Sequence, residues 1–152
     1  MGPNASDSNG ECPHRSLMWI SVRQPWAALI VDGIKDVENR SWRTHYRGRV
    51  IIHASLTRGE PRLSEIATRV GVDLPNIDLP IGGFVGIATI ADCVTAHASK
   101  WFNGERTADG KPNYGFVLIA ARPLPFLAFA GAVGLRPVPQ WVVDHYGVQR
   151  LH

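Results

Sequence analysis

Residues 21–55 read SVRQPWAALIVDGIKDVENRSWRTHYRGRVIIHAS, and in them an apolar helix, a Lys/Glu/Arg cluster and a buried strand follow one another directly. Pro25 suits the first turn of a helix. Trp26, Leu29, Ile30 and Gly33 recur at the i, i+3, i+4, i+7 spacing of one helical face, and Gly33 supplies the stop. Ile34 to Arg40 alternates too strongly and carries too much charge to extend that helix, so Val37 and its flanks predict a short extended segment. There Glu38 and Arg40 project from one face. Lys35 joins them on the assumption that it still belongs to the turn after Gly33. A carboxylate flanked by two cations stays ionised, fixes both long side chains and leaves donors over for a phosphate or the polar edge of a base.

Outward from this stretch, Met18 to Val22 predicts a first strand and Arg49 to Ala54 a second, whose Val50, Ile51 and Ile52 are apolar on both faces and therefore core. His53 ends that strand, where a histidine satisfied by backbone is the commoner case, so it is not counted as catalytic. Arg58 to Val70 places Leu63, Ile66, Ala67 and Val70 at helical spacing among charges, which predicts a surface helix ended by Gly71. The following VDLPNIDLPIGG reads as a loop at the edge of the cleft. Phe84 to Val94 predicts a strand with Gly86 and Ala88 on one face and Val85, Ile87 and Thr89 on the other, the small face admitting either the Trp26 helix, the preferred reading, or a flat base. Thr95 to Asn113 is irregular, anchored by Trp101 and Phe102. Tyr114 to Ala121 predicts a further strand, interrupted at Pro123 and Pro125 where a ladder must end or lie at an edge, with a short strand possible over Leu127 to Phe129. Pro139 and Gly147 bound a final helix whose Trp141 and Tyr146 would cap the core.

The 152 residues suit one domain, and 45% apolar content with five Trp against 19% charged residues excludes wholesale disorder. A formal charge of +3 permits nucleic-acid binding without demanding it, and the distribution says more than the total. Arg40, Arg43, Arg47 and Arg49 fall close together with Trp42, His45 and Tyr46 interleaved, which joins phosphate-attracting charge to flat rings. A solvated loop whose arginines pair with nearby acids is the alternative. Residues 1–16, rich in Ser, Asn, Gly and Pro, read as a flexible extension. Its myristoylation-like Met1-Gly2 and its Asn4-Ala5-Ser6 sequon are expected to be unused. Cys12 and Cys93 cannot make a disulfide framework, no apolar stretch reaches the roughly 20 residues of a membrane span, and no signal-peptide core opens the chain; the expectation is a soluble, cytoplasmic protein that meets no membrane.

The catalytic vocabulary is thin. There is no Walker-type phosphate loop, no G-x-S-x-G elbow and no paired-cysteine or H-E-x-x-H spacing among Cys12, His14, His45, His53 and His97, so neither metal nor cofactor is expected.

Gln24-Pro25-Trp26, then Gly33 to Arg40 as G-x-K-x-x-E-x-R, then Ser41-Trp42 and Tyr46-Arg47-Gly48-Arg49-Val50 before a strand, together resemble the activating signal cointegrator homology (ASCH) domain. The resemblance is strongest from Leu17 to Ser55 and fades beyond Pro125. It implies an α+β fold, a small PUA-like β-barrel closed by short helices, spanning residues 17–152 after the tail. It also implies a cleft beside GIKDVENR that faces RNA or another nucleic acid. On that reading Gln24, Trp26, Lys35, Glu38, Arg40, Ser41 and Arg47 are the ligand-binding candidates, with Lys35 and Arg40 on phosphate or base edge and Glu38 fixing them. The partner is single-stranded RNA or a modified nucleoside.

Two other readings stand beside it. Some small bacterial relatives are amidohydrolases of N4-acetylcytidine and use a Lys with a Thr three positions later, whereas Glu38 stands in that place here, and a carboxylate cannot replace a hydroxyl nucleophile in acyl transfer. Other relatives are linked to RNA cleavage. A hydrolase would take Lys35 and Glu38 as its catalytic residues, Lys35 as a partly desolvated base. A protein-interaction domain would use the same cluster structurally and show no salt-sensitive nucleic-acid affinity.

Overall fold

Burial in MWISVRQ starts the architecture: β1 (Met18–Gln24) hides Trp19, Ile20, Val22 and Gln24. The computed structural model describes residues 17–58, 65, 66, 68 and 79–147. The expected tail over 1–16, the helix stop at Gly71, residues 72–78 of the cleft-edge loop and all but Glu65, Ile66 and Thr68 of the interior of the predicted surface helix lie outside them; these three residues are helical. After β1 come α1 (Trp26–Val31), β2 (Val37–Arg40), β3 (Gly48–Arg58), β4 (Gly83–Val94), β5 (Tyr114–Ala128), β6 (Arg136–Pro137) and α2 (Gln140–Tyr146). The strands form one sheet in the order β2-β5-β4-β3-β1-β6, parallel between β1 and β3 and antiparallel elsewhere. This curled half-barrel with short helices is the α+β architecture expected from the sequence.

α1 is short because Gly33, at φ +77°, turns the chain, and it buries Ala27 through Val31 against the curled sheet. With Ile20, Val22, Val50, Ile52, Val85, Ala88, Ile90 and Phe116 it forms the main core. Trp19, Ile51, Phe84, Ile87 and Val142 make a second core on the other side of the sheet. Membership of the two clusters corrects the simple alternation expected for β4: Val85 joins Ala88, and Phe84 joins Ile87. The pairing of β4 with β5 shifts between Phe84 and Gly86 and again between Ile87 and Thr89. Such bulges reset which side a residue faces and bend the strand. The small residue nonetheless serves helix packing, since a Cβ on Gly86 would stand 2.4 Å from Val31 Cγ2 at the end of α1.

β5 does not stop at its prolines. It runs 15 residues through Pro123 and Pro125 and takes in Leu127 and Ala128 of the expected short strand, leaving Phe129 beyond its end. Beyond Val117 its only strand neighbour among the described residues is β4, so this is the edge position that tolerates a missing N–H. At the C-terminus Pro139 and the left-handed Gly147 bound α2 as expected, but Val142 is its buried residue, while Trp141 is 54% exposed and leans on Phe129. Tyr146 is tied down through its hydroxyl, which donates to the Pro125 carbonyl at 2.6 Å.

Candidate functional site

The turn after α1 delivers the first functional side chain. The Lys35 backbone N–H donates to the Leu29 carbonyl at 3.0 Å, so Lys35 does belong to the helix-ending turn, and its side chain is tucked beneath the helix with 5% exposure. The ammonium donates to the Val37 carbonyl and to Glu38 Oε1 at 3.0 Å, and lies 5.8 Å from the centre of the Trp26 ring. Pairing of β2 with β5, Glu38 opposite Phe116, fixes the strand that carries the carboxylate. Glu38 Oε2 accepts from Arg40 Nε at 3.0 Å, and Arg40 Nη2 donates onward to the Ser21 carbonyl at 2.8 Å. Lys35, Glu38 and Arg40 thus form a continuous ion chain, 5%, 13% and 21% exposed.

Burial by itself would push the Glu38 carboxyl up, but the Lys35 and Arg40 charges and their hydrogen bonds outweigh it and hold the group below the ordinary carboxylate range. The cluster carries one net positive charge, and its anion is locked in the ionised form.

Two concavities, about 760 and about 720 Å³, meet along a shared wall of Trp26, Glu38 and Asn39. Lys35, Lys100, Trp101 and Asn103 complete the first. The second is bounded by Arg40, Ser41 and Trp42 on one side and by Leu56 and residues 131–134 on the other, with Ser21 and Arg23 also exposed to it. The sequence candidates Trp26, Lys35, Glu38, Arg40 and Ser41 therefore come together. Gln24 lies elsewhere, 1% exposed, with its amide donating to the Pro80 carbonyl and its oxygen accepting from the Ala28 N–H. Arg47 also lies apart, spending its guanidinium on the Thr44 and Tyr46 carbonyls and on Asp92 at 3.5 Å. Arg43 sits over the Tyr114 ring at 5.1 Å, and Trp42 meets Phe116 edge-on at 5.1 Å.

Asn39, Lys100, Trp101 and Asn103 are site residues for which the sequence reading assigned no ligand role. Asn39 is the unspecified position between Glu38 and Arg40. Its amide donates to the Trp101 carbonyl at 3.0 Å and its oxygen accepts from the Asn103 N–H and from Asn113 Nδ2, which clamps the irregular loop onto β2. An asparagine inside G-x-K-x-x-E-x-R was the one local hint; its partners are more than 60 residues away in sequence.

No helix among the described residues is long and apolar enough to cross a membrane. Among solved structures, the ASCH protein of Zymomonas mobilis superposes with a TM-score of 0.55 at 17% identity, covering 90% of this chain and 96% of that one. A single-substitution variant of it gives 0.54 at 18% identity, covering 86% and 98%. At such identity the likeness speaks to the fold. Human activating signal cointegrator 1 is 41% identical over 88 residues, 53% of this chain, and the mouse protein 41% identical over 83 residues, 50% of this chain. The chain spans only 15% and 14% of the length of those two relatives. The ASCH domain model matches residues 20–125, which takes in every strand from β1 into β5 and the whole ion chain, and the chain belongs to the ASCH domain family, a PUA-like fold generally associated with RNA binding.

Proposed function

We propose that the cleft walled by Trp26 binds a single-stranded RNA segment or a modified nucleobase. The observation that carries this reading is the ion chain at its base: one carboxylate holds two cations in fixed positions, so N–H donors and a net positive charge face a concavity with an indole beside it. Fixed cations attract phosphate, and an aromatic face accepts any base. Each concavity also falls within the roughly 300–1,000 Å³ of small-ligand sites. A hydrolase built on Lys35 and Glu38 has less in its favour, because both Glu38 oxygens are engaged by cations and the ammonium faces its own counter-ion.

The test titrates labelled single-stranded RNA and matched DNA with wild type and Lys35→Ala at two salt concentrations, then runs the recovered RNA on a gel. Salt-dependent affinity lost in the variant, with intact RNA, supports the binding reading. Lys35-dependent cleavage would replace it with the hydrolase, and absence of both binding and cleavage would remove generic RNA as the ligand.

A further inference from the structure

Ser21 and His53 are register partners on the parallel strands β1 and β3, and Ser21 Oγ lies 2.9 Å from His53 Nδ1. The other ring nitrogen, Nε2, lies 2.7 Å from the Phe129 carbonyl. A carbonyl only accepts, so in the neutral ring Nε2 carries the proton and Nδ1 is the lone-pair nitrogen that accepts from the serine hydroxyl. We propose that Ser21 is a nucleophile with His53 as its general base, forming an acyl-transfer site for small esters in the second concavity.

The arrangement supplies a base, a nucleophile and room for a substrate. His53 is 0% exposed and held from one side by Phe129, while Ser21 is only half-buried and lines the concavity. The base is thus shielded while the serine reaches the concavity. Arg40 Nη2 donates to the backbone carbonyl of Ser21, which fixes the main chain of the nucleophile and brings positive charge to the same concavity. Gly131 lies against the pair: a Cβ there would stand 3.4 Å from Ser21 Oγ and 3.1 Å from His53 Cε1, so a side chain would crowd the imidazole, although its backbone φ lies outside the left-handed region and does not itself call for glycine. Against the imidazole come Trp19 and Ser21 from β1, Phe84 from β4, and Phe129 and Gly131 from the segment after β5, none of them charged. Burial holds His53 below the ordinary histidine range, more than the Phe129 hydrogen bond restores, so the ring is neutral at pH 7.

In the reaction Ser21 Oγ bonds to the ester carbon as its proton passes to Nδ1. The tetrahedral adduct expels the alkoxide, which takes that proton and leaves as alcohol. Water, deprotonated by the same nitrogen, then attacks the acyl-serine and releases the acid, regenerating Ser21 and neutral His53. A neutral carbonyl orients the ring where a carboxylate would also stabilise the imidazolium, so acylation should be slow and covalent capture is the suitable readout.

The experiment treats the full chain with a fluorophosphonate probe and with p-nitrophenyl acetate, maps the adduct by mass spectrometry and times its formation. One adduct at Ser21, absent in Ser21→Ala, about 100-fold slower in His53→Gln and about tenfold slower in Gly131→Ala, would support the site. Circular dichroism checks the fold of each variant. Should His53→Gln not fold, Gly131→Ala and the pH dependence decide, because wild-type acylation must slow on acidification with a midpoint below 6.5 as the ring takes up a proton. Absence of an adduct at Ser21, or a rate indifferent to both variants and to pH, would overturn it.

Discussion

The Arg40 guanidinium on β2 donates to the Ser21 carbonyl on β1 at 2.8 Å, although β5, β4 and β3 stand between those two strands in the sheet. The sheet must curl through most of a turn for them to meet, and the same side chain that faces the cleft links its open side. Arg40→Met keeps much of the apolar stem and removes the link. It should cost about 2 kcal/mol, the range of a hydrogen bond from a charged donor, read as a lower urea midpoint with an unchanged slope.

Glu38 ties stability to acid. Its carboxyl is held below the unfolded value of 4.5, so its contribution is complete above about pH 4.5 and is lost as pH falls through the lowered native pKa. Glu38→Gln should flatten that acid limb. At neutral pH it should also cost about 3 kcal/mol, because the nearly buried Lys35 ammonium loses its counter-ion. Urea midpoints at pH 7 and pH 3 for both proteins measure both effects.

His53 gives a separate, higher limb. A buried histidine with a lowered pKa is neutral in the fold, while the unfolded chain takes up a proton near 6.5, so stability should begin to fall as pH drops below about 6.5 and stop falling below the native pKa. A stability profile from pH 8 to 4 should show this decline in Glu38→Gln as well as in wild type. Its absence from both would contradict the neutral, buried ring.

Residues 21–55 were legible because their signals are local: the α1 spacing, the Gly33 stop and the alternation at Glu38 and Arg40 all act within a few residues. What escaped depends on distant partners. Pro123 looks like a strand end until it is known that β5 has β4 as its only strand neighbour there among the described residues. The β4 bulges follow from how its 12 residues must track a 15-residue β5, which no alternation within FVGIATIADCV reveals. Gln24 enters the ligand set only through the family resemblance carried by Gln24-Pro25-Trp26, yet both ends of its amide are bound to the fold. Ser21 and His53 meet only through parallel pairing of strands 32 residues apart.

Gly86 is where helix and sheet come closest. A Cβ there would lie 2.4 and 2.7 Å from the two Val31 methyls and 2.7 Å from the Arg122 carbonyl. Overpacking of this kind costs about 3 kcal/mol. Gly86→Ala should lower the thermal midpoint markedly, and adding Val31→Ala should restore part of the loss but not all, since the Arg122 carbonyl remains in the way. A double-mutant cycle reads the coupling.

Trp26 and Arg47 separate the cleft from mere positive surface. Trp26 walls both concavities, whereas Arg47 points at Asp92 and lines neither. Loss of one stacked base costs about 1–3 kcal/mol, so Trp26→Ala should weaken single-stranded RNA binding by about tenfold or more with its salt dependence kept. Arg47→Ala removes an exposed charge already shared with an acid and two carbonyls, and should change affinity by less than about threefold. Fluorescence anisotropy with a short labelled RNA decides between them. Equal losses in the two variants would place the RNA on the arginine-rich loop rather than in the cleft.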